Sequence, residues 1–367
     1  MWFVMKNHEP RITNHESRSM NLVVCFKEGP VEEYLIDRIH TAWPEVGITN
    51  VGQKDVAAAL LDADFFCGHA KVPVDWDAVV RQGRLQWIQS SAAGMDWCLV
   101  PSVVESDIVI STASGVLADQ VAEHTMALIL GWMRNLETFL REQHDERTPD
   151  YRKFFRRPTR DLTGRTVGIV GFGGVGRRLS QVLTPFRTEI LAIDLFPVDK
   201  PPHVSELWPP ERLDDLLGKS DVVILCLPLN LQTRGMFNGD RLKKMRPETL
   251  FVNVARGPLV DTDALAAALK NRELAGAVVD VTSPEPLPKE HPLWNFPNVI
   301  VTPHVGGQFR FRFDDVVDIF SANIRRWQEG RPLINHLTPE GKRLGFPLRS
   351  PDYPLWIDIR DSEIAST

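Results

Sequence analysis

Three polar side chains in this sequence could together reduce or oxidise a carbonyl carbon: Arg256, Glu285 and His304. Each follows an apolar run. Val252-Asn-Val-Ala-Arg-Gly-Pro258 carries the arginine, Asp280-Val-Thr-Ser-Pro-Glu-Pro-Leu287 the glutamate, and Thr302-Pro-His-Val-Gly-Gly307 the histidine. A guanidinium offers a planar fork of donors suited to a carboxylate and the carbonyl beside it. An imidazole can give a proton to that carbonyl oxygen and take it back in the reverse direction. A glutamate on the other ring nitrogen orients the imidazole and favours its protonated form, raising its pKa. Alone, an arginine after a strand is usually a surface ion pair, a histidine in a turn is incidental, and a glutamate between prolines is loop. At three consecutive strand ends of one sheet these bland readings lose their force.

The sheet that must position them is written as six short apolar runs: 166–170, 189–193, 221–227, 250–254, 276–281 and 299–302. Near-continuous Val, Ile and Leu runs belong to parallel strands covered on both faces. Six of them with helices between fit a doubly wound dinucleotide-binding domain, whose ligands sit outside the carboxyl ends of the strands. Gly171-Phe-Gly-Gly-Val-Gly176 follows the first run directly and opens a helix near Val175. GxGxxG alone is a weak signal. In this context Gly171 permits a tight turn, Gly173 lets backbone approach a pyrophosphate, and Gly176 lets helix and strand pack. Asp194 ends the second run, where a carboxylate would accept from the adenosine ribose hydroxyls and repel a 2′-phosphate. No arginine follows in Leu195-Phe-Pro197, so NAD is preferred over NADP. Arg177 and Arg178 sit at the helix start, expected to face solvent or the pyrophosphate rather than the ribose.

Upstream, runs at 22–26, 48–51, 64–67, 85–89 and 108–111 alternate with helix-like segments, predicting a second parallel sheet. Apolar residues at helical spacing predict a long helix from about Asp119 to Glu142. Residues 145–158 are charged and contain prolines, which reads as a loop or a dimer arm. A last helix runs from Phe309 to Trp327 and stops at Gly330-Arg-Pro332. The proline-bearing segment 337–367 is expected to be irregular, packed on the surface through Trp356. The chain has 367 residues and a net charge of −6, with no long basic run, which speaks against nucleic-acid binding. Length suggests two domains. Cys25, Cys67, Cys98 and Cys226 form no CxxC pair, so no metal site is expected and the thiols read as reduced in a cytoplasmic protein. No run is long and apolar enough for a membrane helix.

The ordered motifs at 171–176, 253–261, 280–288 and 302–307 resemble the D-isomer-specific 2-hydroxyacid dehydrogenase family, as do Ser91-Ala-Ala-Gly-Met-Asp96 and Val121-Ala-Glu-His124. The resemblance spans residues 20–336. It implies two α/β domains: a Rossmann NAD-binding domain over 117–308 and a discontinuous, flavodoxin-like substrate domain over 20–116 and 309–336, with the active site between them. Residues 1–19 are then an extension and 337–367 a tail. By the same resemblance, backbone at Ala93, Gly94 and Met95 holds the substrate carboxylate together with Arg256 and His304. Phe172, Gly174 and Val175 complete the cofactor loop. Leu227, Pro228, Thr233, Val254, Ala255, Asp280 and Gly306 line the cofactor, with Asp280 on the nicotinamide side. The implied partner is a second copy, paired through the NAD-binding domain. Formate-oxidising members lack the glutamate, so Glu285 points to a 2-oxo acid, and the 280–294 text resembles glyoxylate and hydroxypyruvate reductases. Gln308-Phe-Arg-Phe-Arg-Phe313 departs from the small or hydroxyl residues usual there. An NAD(H)-sensing corepressor is the alternative reading.

Overall fold

The computed structural model describes residues 19–26, 29–140 and 159–348, and Asp352, 354–356, Asp358, Ile359 and Ser362 of the tail. The extension before Ser19 and the charged stretch at 145–158 lie outside the described residues. The chain divides into two compact units, Met1–Val116 with Phe311–Thr367, and Leu117–Arg310.

The first unit opens with β1 (Asn21–Cys25), α1 (Glu33–Ala42), β2 (Gly47–Asn50), α2 (Val56–Ala59) and β3 (Phe65–Gly68). It continues with α3 (Trp76–Gln82), β4 (Trp87–Ser90), α4 (Pro101–Glu105) and β5 (Val109–Ser111). All neighbours pair parallel, in the order β2-β1-β3-β4-β5. This is the flavodoxin-like order, with its switch point between β1 and β3.

The second unit starts with α5 (Ala118–Met133) and continues β6 (Thr166–Val170), α6 (Gly174–Leu183), β7 (Glu189–Ile193) and β8 (Glu206–Trp208). Then come α7 (Leu213–Lys219), β9 (Val222–Leu225), α8 (Gly239–Leu242), β10 (Leu250–Asn253), α9 (Thr262–Lys270), β11 (Gly276–Val279) and β12 (Val299–Val301). Its seven strands are parallel in the order β12-β11-β10-β9-β6-β7-β8. Alternate strand residues enter two separate cores: Val223, Leu225 and Phe251 on one face, Val222, Ile224, Leu250 and Val252 on the other. Burial on both faces is why these strands read as unbroken apolar text.

The chain then returns to the first unit with α10 (Arg312–Gln328) and α11 (Pro339–Leu344). On α10, Phe320 packs on Trp87 and Trp327 stacks on it at 5.4 Å. Buried Asn323 donates to Gln89 at 2.9 Å and exchanges hydrogen bonds with the backbone of Ile334.

The structure differs from the sequence expectations in three places. β8 is a seventh strand, three residues long at the sheet edge. The long helix is interrupted after Met133, where Asn135 adopts a left-handed φ of 57°, and helix resumes over 136–140. The tail is not irregular throughout: Thr338 caps α11, Gly345 ends it with φ 83°, and Lys342 buries its amine against the Ser106 carbonyl. Trp356, through which the tail was expected to pack, is buried.

Candidate active site

Three adjacent strand ends carry the polar side chains. Beyond β10, the buried Asn253 amide turns the chain. Its Oδ1 accepts from Ala255 N, and its Nδ2 donates to the Arg256 carbonyl. Arg256 follows in extended conformation, half-buried, with Nη1 donating to the Ala255 carbonyl at 2.8 Å. Gly257 permits the next loop to close on it, since a Cβ there would stand 1.8 Å from the Thr282 carbonyl oxygen. Beyond β11, Thr282 bonds the Pro284 carbonyl and the loop presents Glu285. Beyond β12 comes His304, held at a left-handed φ of 55°.

His304 Nδ1 and Glu285 Oε1 are 2.6 Å apart. Both side chains are more than 40% exposed, so the pair contributes little stability and its main effect is to orient the ring. Nε2, the other ring nitrogen, has no partner among the described residues and is the one available to a substrate oxygen.

Asp280 holds the histidine turn. Its carbonyl accepts from His304 N at 2.8 Å. Its carboxylate accepts from Val305 N at 3.0 Å, Gly306 N at 2.9 Å and the Thr302 hydroxyl at 2.6 Å. His124 Nε2 lies 3.4 Å from the same carboxylate. Burial alone would raise the Asp280 pKa. The hydrogen bonds and the His124 charge outweigh it and hold the carboxyl below its ordinary value. A left-handed histidine costs on the order of 1 kcal/mol, and these bonds keep it in place.

Residues 126–306 match the model of the D-isomer-specific 2-hydroxyacid dehydrogenase NAD-binding domain. The chain is 34% identical to a glyoxylate reductase of Thermofilum pendens over 273 residues, 72% of this chain and 76% of that one. The chain belongs to the D-isomer-specific 2-hydroxyacid dehydrogenase family. A mitochondrial formate dehydrogenase of Oryza sativa is 35% identical over 63% of this chain and 61% of its own. A solved D-isomer-specific 2-hydroxyacid dehydrogenase from Xanthobacter autotrophicus, bound to NADPH and MES, superposes with a TM-score of 0.71. It is 25% identical, covering 89% of this chain and all of that one. Membership makes this chain an NAD(P)-dependent oxidoreductase acting on CH–OH groups, and the comparisons give the corepressor reading no support.

The family's dinucleotide needs a cradle for two phosphates, and the residues after β6 fit one. Gly171 has φ 95°, and a Cβ there would meet the Cys226 and Leu227 backbone at 2.7 Å. Gly173 caps α6 without a side chain, leaving the first-turn N–H groups of Gly174, Val175 and Gly176 to an anion. Phe172 is buried beneath the loop. Leu227 and Pro228 follow β9 beside it. Thr233 donates to the Pro228 carbonyl at 2.8 Å and accepts from Asn230 N, so its hydroxyl closes that loop. Val254 and Ala255 lie between β10 and Arg256.

Asp194 does something the sequence did not suggest: its Oδ2 accepts from Phe172 N at 2.7 Å and its Oδ1 from Phe196 N at 3.0 Å. It braces the glycine turn from the neighbouring strand. The Arg177 guanidinium donates to the Val198 and Asp199 carbonyls and lies over the Phe172 ring, linking the glycine loop to the loop after Asp194. Arg178 instead pairs with Asp119 on α5.

In the first unit, Ala93, Gly94 and Met95 follow β4. Met95 is buried, and its carbonyl accepts from Cys98 N and Leu99 N. The three backbone N–H groups of Ala93, Gly94 and Met95 have no partner among the described residues. Consecutive N–H groups left unpartnered are donors that an anion could use where the backbone turns them to one side.

Sequence reasoning missed Asn253, Thr302 and the part His124 plays. His124 stood in a recognised landmark, but nothing in the text ties it to Asp280, which lies in a distant strand loop.

Proposed function

We propose that this chain interconverts a small 2-oxo acid and its D-2-hydroxy acid, with His304 as the proton donor and acceptor. NAD is the preferred dinucleotide; bound on the glycine turn, it supplies or receives the hydride. One observation carries the proposal. The Glu285 contact at His304 Nδ1 fixes the ring and leaves Nε2 for the substrate oxygen. Arg256 binds the carboxylate and the adjacent carbonyl. The unpartnered N–H groups of Ala93, Gly94 and Met95 support the assignment of that segment to the carboxylate.

Glyoxylate and hydroxypyruvate head the candidate substrates, supported by the likeness to a glyoxylate reductase and by the 280–294 loop. Glu285 separates this site from formate oxidation. Asp194 supports NAD, because its carboxylate would oppose a 2′-phosphate. A homodimer paired through the dinucleotide-binding unit follows from the family resemblance. A cytoplasmic location is part of the same reading; among the described residues no helix is long and apolar enough to cross a membrane.

The test is a panel of 2-oxo acids with NADH and with NADPH, followed by loss of reduced-cofactor absorbance. Turnover of at least one small 2-oxo acid is expected, faster with NADH. His304→Ala should lower it by about 10²–10⁴-fold. A folded His304→Ala protein turning over at the wild-type rate would overturn the assignment.

A further inference from the structure

The imidazole of His124 sits where no role has been assigned to it. It projects from α5, a helix without other chemistry in this reading, and reaches the loop that carries His304. Its Nε2 lies 3.3 Å from Thr302 Oγ1 and 3.4 Å from Asp280 Oδ1. The ring packs on the Gly306 backbone, where an added Cβ would meet His124 Cδ2 at 3.2 Å. Among the described residues it is the only basic side chain within ion-pair reach of Asp280.

The protons in this cluster can be assigned by exclusion. A carboxylate only accepts, so the Thr302 hydroxyl must donate to Asp280 Oδ1. The Thr302 oxygen is then an acceptor toward His124, and the hydrogen between them belongs to Nε2 of the imidazole. The order of donation is His124 to Thr302, and Thr302 to Asp280. Val305 N also donates to Oδ1, while Gly306 N donates to Oδ2. Three consecutive amides, those of His304, Val305 and Gly306, thus end on one aspartate whose orientation is set by His124 and Thr302.

We propose that His124 is a positioning residue for the reaction, acting through Thr302 and Asp280 to hold the turn that aims His304. The proposal rests on the reading of His304 as the proton-transfer residue. Without the Nε2 donor, Asp280 can swing off the Val305 and Gly306 amides, and the strained histidine relaxes. A displacement of the imidazole by about 1 Å costs on the order of a hundredfold in rate.

The experiment is a double-mutant cycle with a conservative rescue. His124→Phe keeps an aromatic ring and removes the donor; His124→Gln restores a donor near the Nε2 position; Thr302→Val breaks the relay. Expected are a fall in kcat of about ten- to a hundredfold for His124→Phe and for Thr302→Val. The double variant should be no slower than either single one, because both cut the same chain. His124→Gln should recover most of the rate. Additive losses, a wild-type kcat in His124→Phe, or no recovery with Gln would overturn the proposal. A ¹⁵N-histidine spectrum of the wild-type protein reads the inference without turnover: His124 should be the Nε2–H tautomer, and the Nδ1–H tautomer would sink it. If the wild-type protein binds NADH but reduces no 2-oxo acid, the functional reading fails instead, and the tautomer still decides the geometry.

Discussion

At the scale of the single residue, the site is built from side chains with divided labour. In the proposed reaction Glu285 orients the ring and His304 transfers the proton, while Asp280 accepts from the Val305 and Gly306 amides of the turn that carries His304. The pH behaviour of Asp280 follows from its depressed pKa. Its contribution to stability is complete above the ordinary carboxyl value of 3.8 and is lost as pH falls through the lower folded value. Asp280→Asn removes that dependence and also weakens the acceptor for two amides. Urea midpoints measured from about pH 6 down to about pH 3 should fall less steeply for Asp280→Asn than for wild type, from a lower starting point. Parallel curves would show that Asp280 is not among the carboxyls driving acid unfolding. The thiols give a second residue-scale prediction. Burial pushes the Cys226 thiol up to about 12, and raises those of Cys67 and Cys98 well beyond their usual range. Cys67 and Cys98, which are also shielded from solvent, should not react with an aromatic disulfide reagent at neutral pH until denaturant is added.

At the scale of the element, what was legible and what was not have physical reasons. The strands of the second sheet are readable because both faces are buried, and each polar residue at a strand end interrupts an apolar run. β8 was not readable: Glu206 is exposed and Leu207 and Trp208 only partly buried, so the edge strand carries no continuous signal. The stop of α5 was hidden because Asn135, not a glycine or proline, takes the left-handed turn. The caps of α11 were present as Thr338, Pro339 and Gly345, but the later prolines drew the whole tail into one irregular reading. The three polar residues could be found because they stand at three consecutive strand ends of one sheet, although each type alone is common at such a place. His124 could not, since its meaning depends on a partner in another element. Two glycines separate packing from ligand binding. A Cβ at Gly257 would collide with the Thr282 backbone, so Gly257→Ala should destabilise by about 1–3 kcal/mol and displace Arg256. Gly173 has open space around its Cβ position, and its φ of −77° suits alanine. Gly173→Ala should therefore keep the wild-type urea midpoint and yet bind NADH at least tenfold more weakly by fluorescence titration. Unchanged NADH affinity in that variant would remove the glycine turn from the cofactor site.

At the scale of the whole chain, the first unit is assembled from segments that lie on both sides of the second. Chain connectivity alone does not hold the returning segment in place, and the structure shows buried polar bonds that do. Asn335, 1% exposed, donates from Nδ2 to the Thr112 carbonyl at 2.9 Å and the Ser114 carbonyl at 2.7 Å. Its Oδ1 accepts from Trp356 N at 3.0 Å. One side chain thereby ties the end of β5, the segment after α10 and the tail. Its φ of 55° also suits asparagine better than most residues. Asn335→Ala leaves the two carbonyls and the Trp356 amide without their partner. Each unsatisfied buried group costs on the order of 1–3 kcal/mol, and relaxation toward water recovers part of it, so a loss of about 3 kcal/mol is expected. Because the three segments belong to the first unit, the loss should appear in its unfolding, while the NADH affinity of the native protein stays within about twofold of wild type. Urea unfolding followed by tryptophan fluorescence, with NADH titration on the same samples, separates the two. A stability loss under about 0.5 kcal/mol, the range of ordinary surface substitutions, would mean that the returning segment is held by the apolar packing of Trp327 and Phe320 on Trp87 rather than by this polar tie.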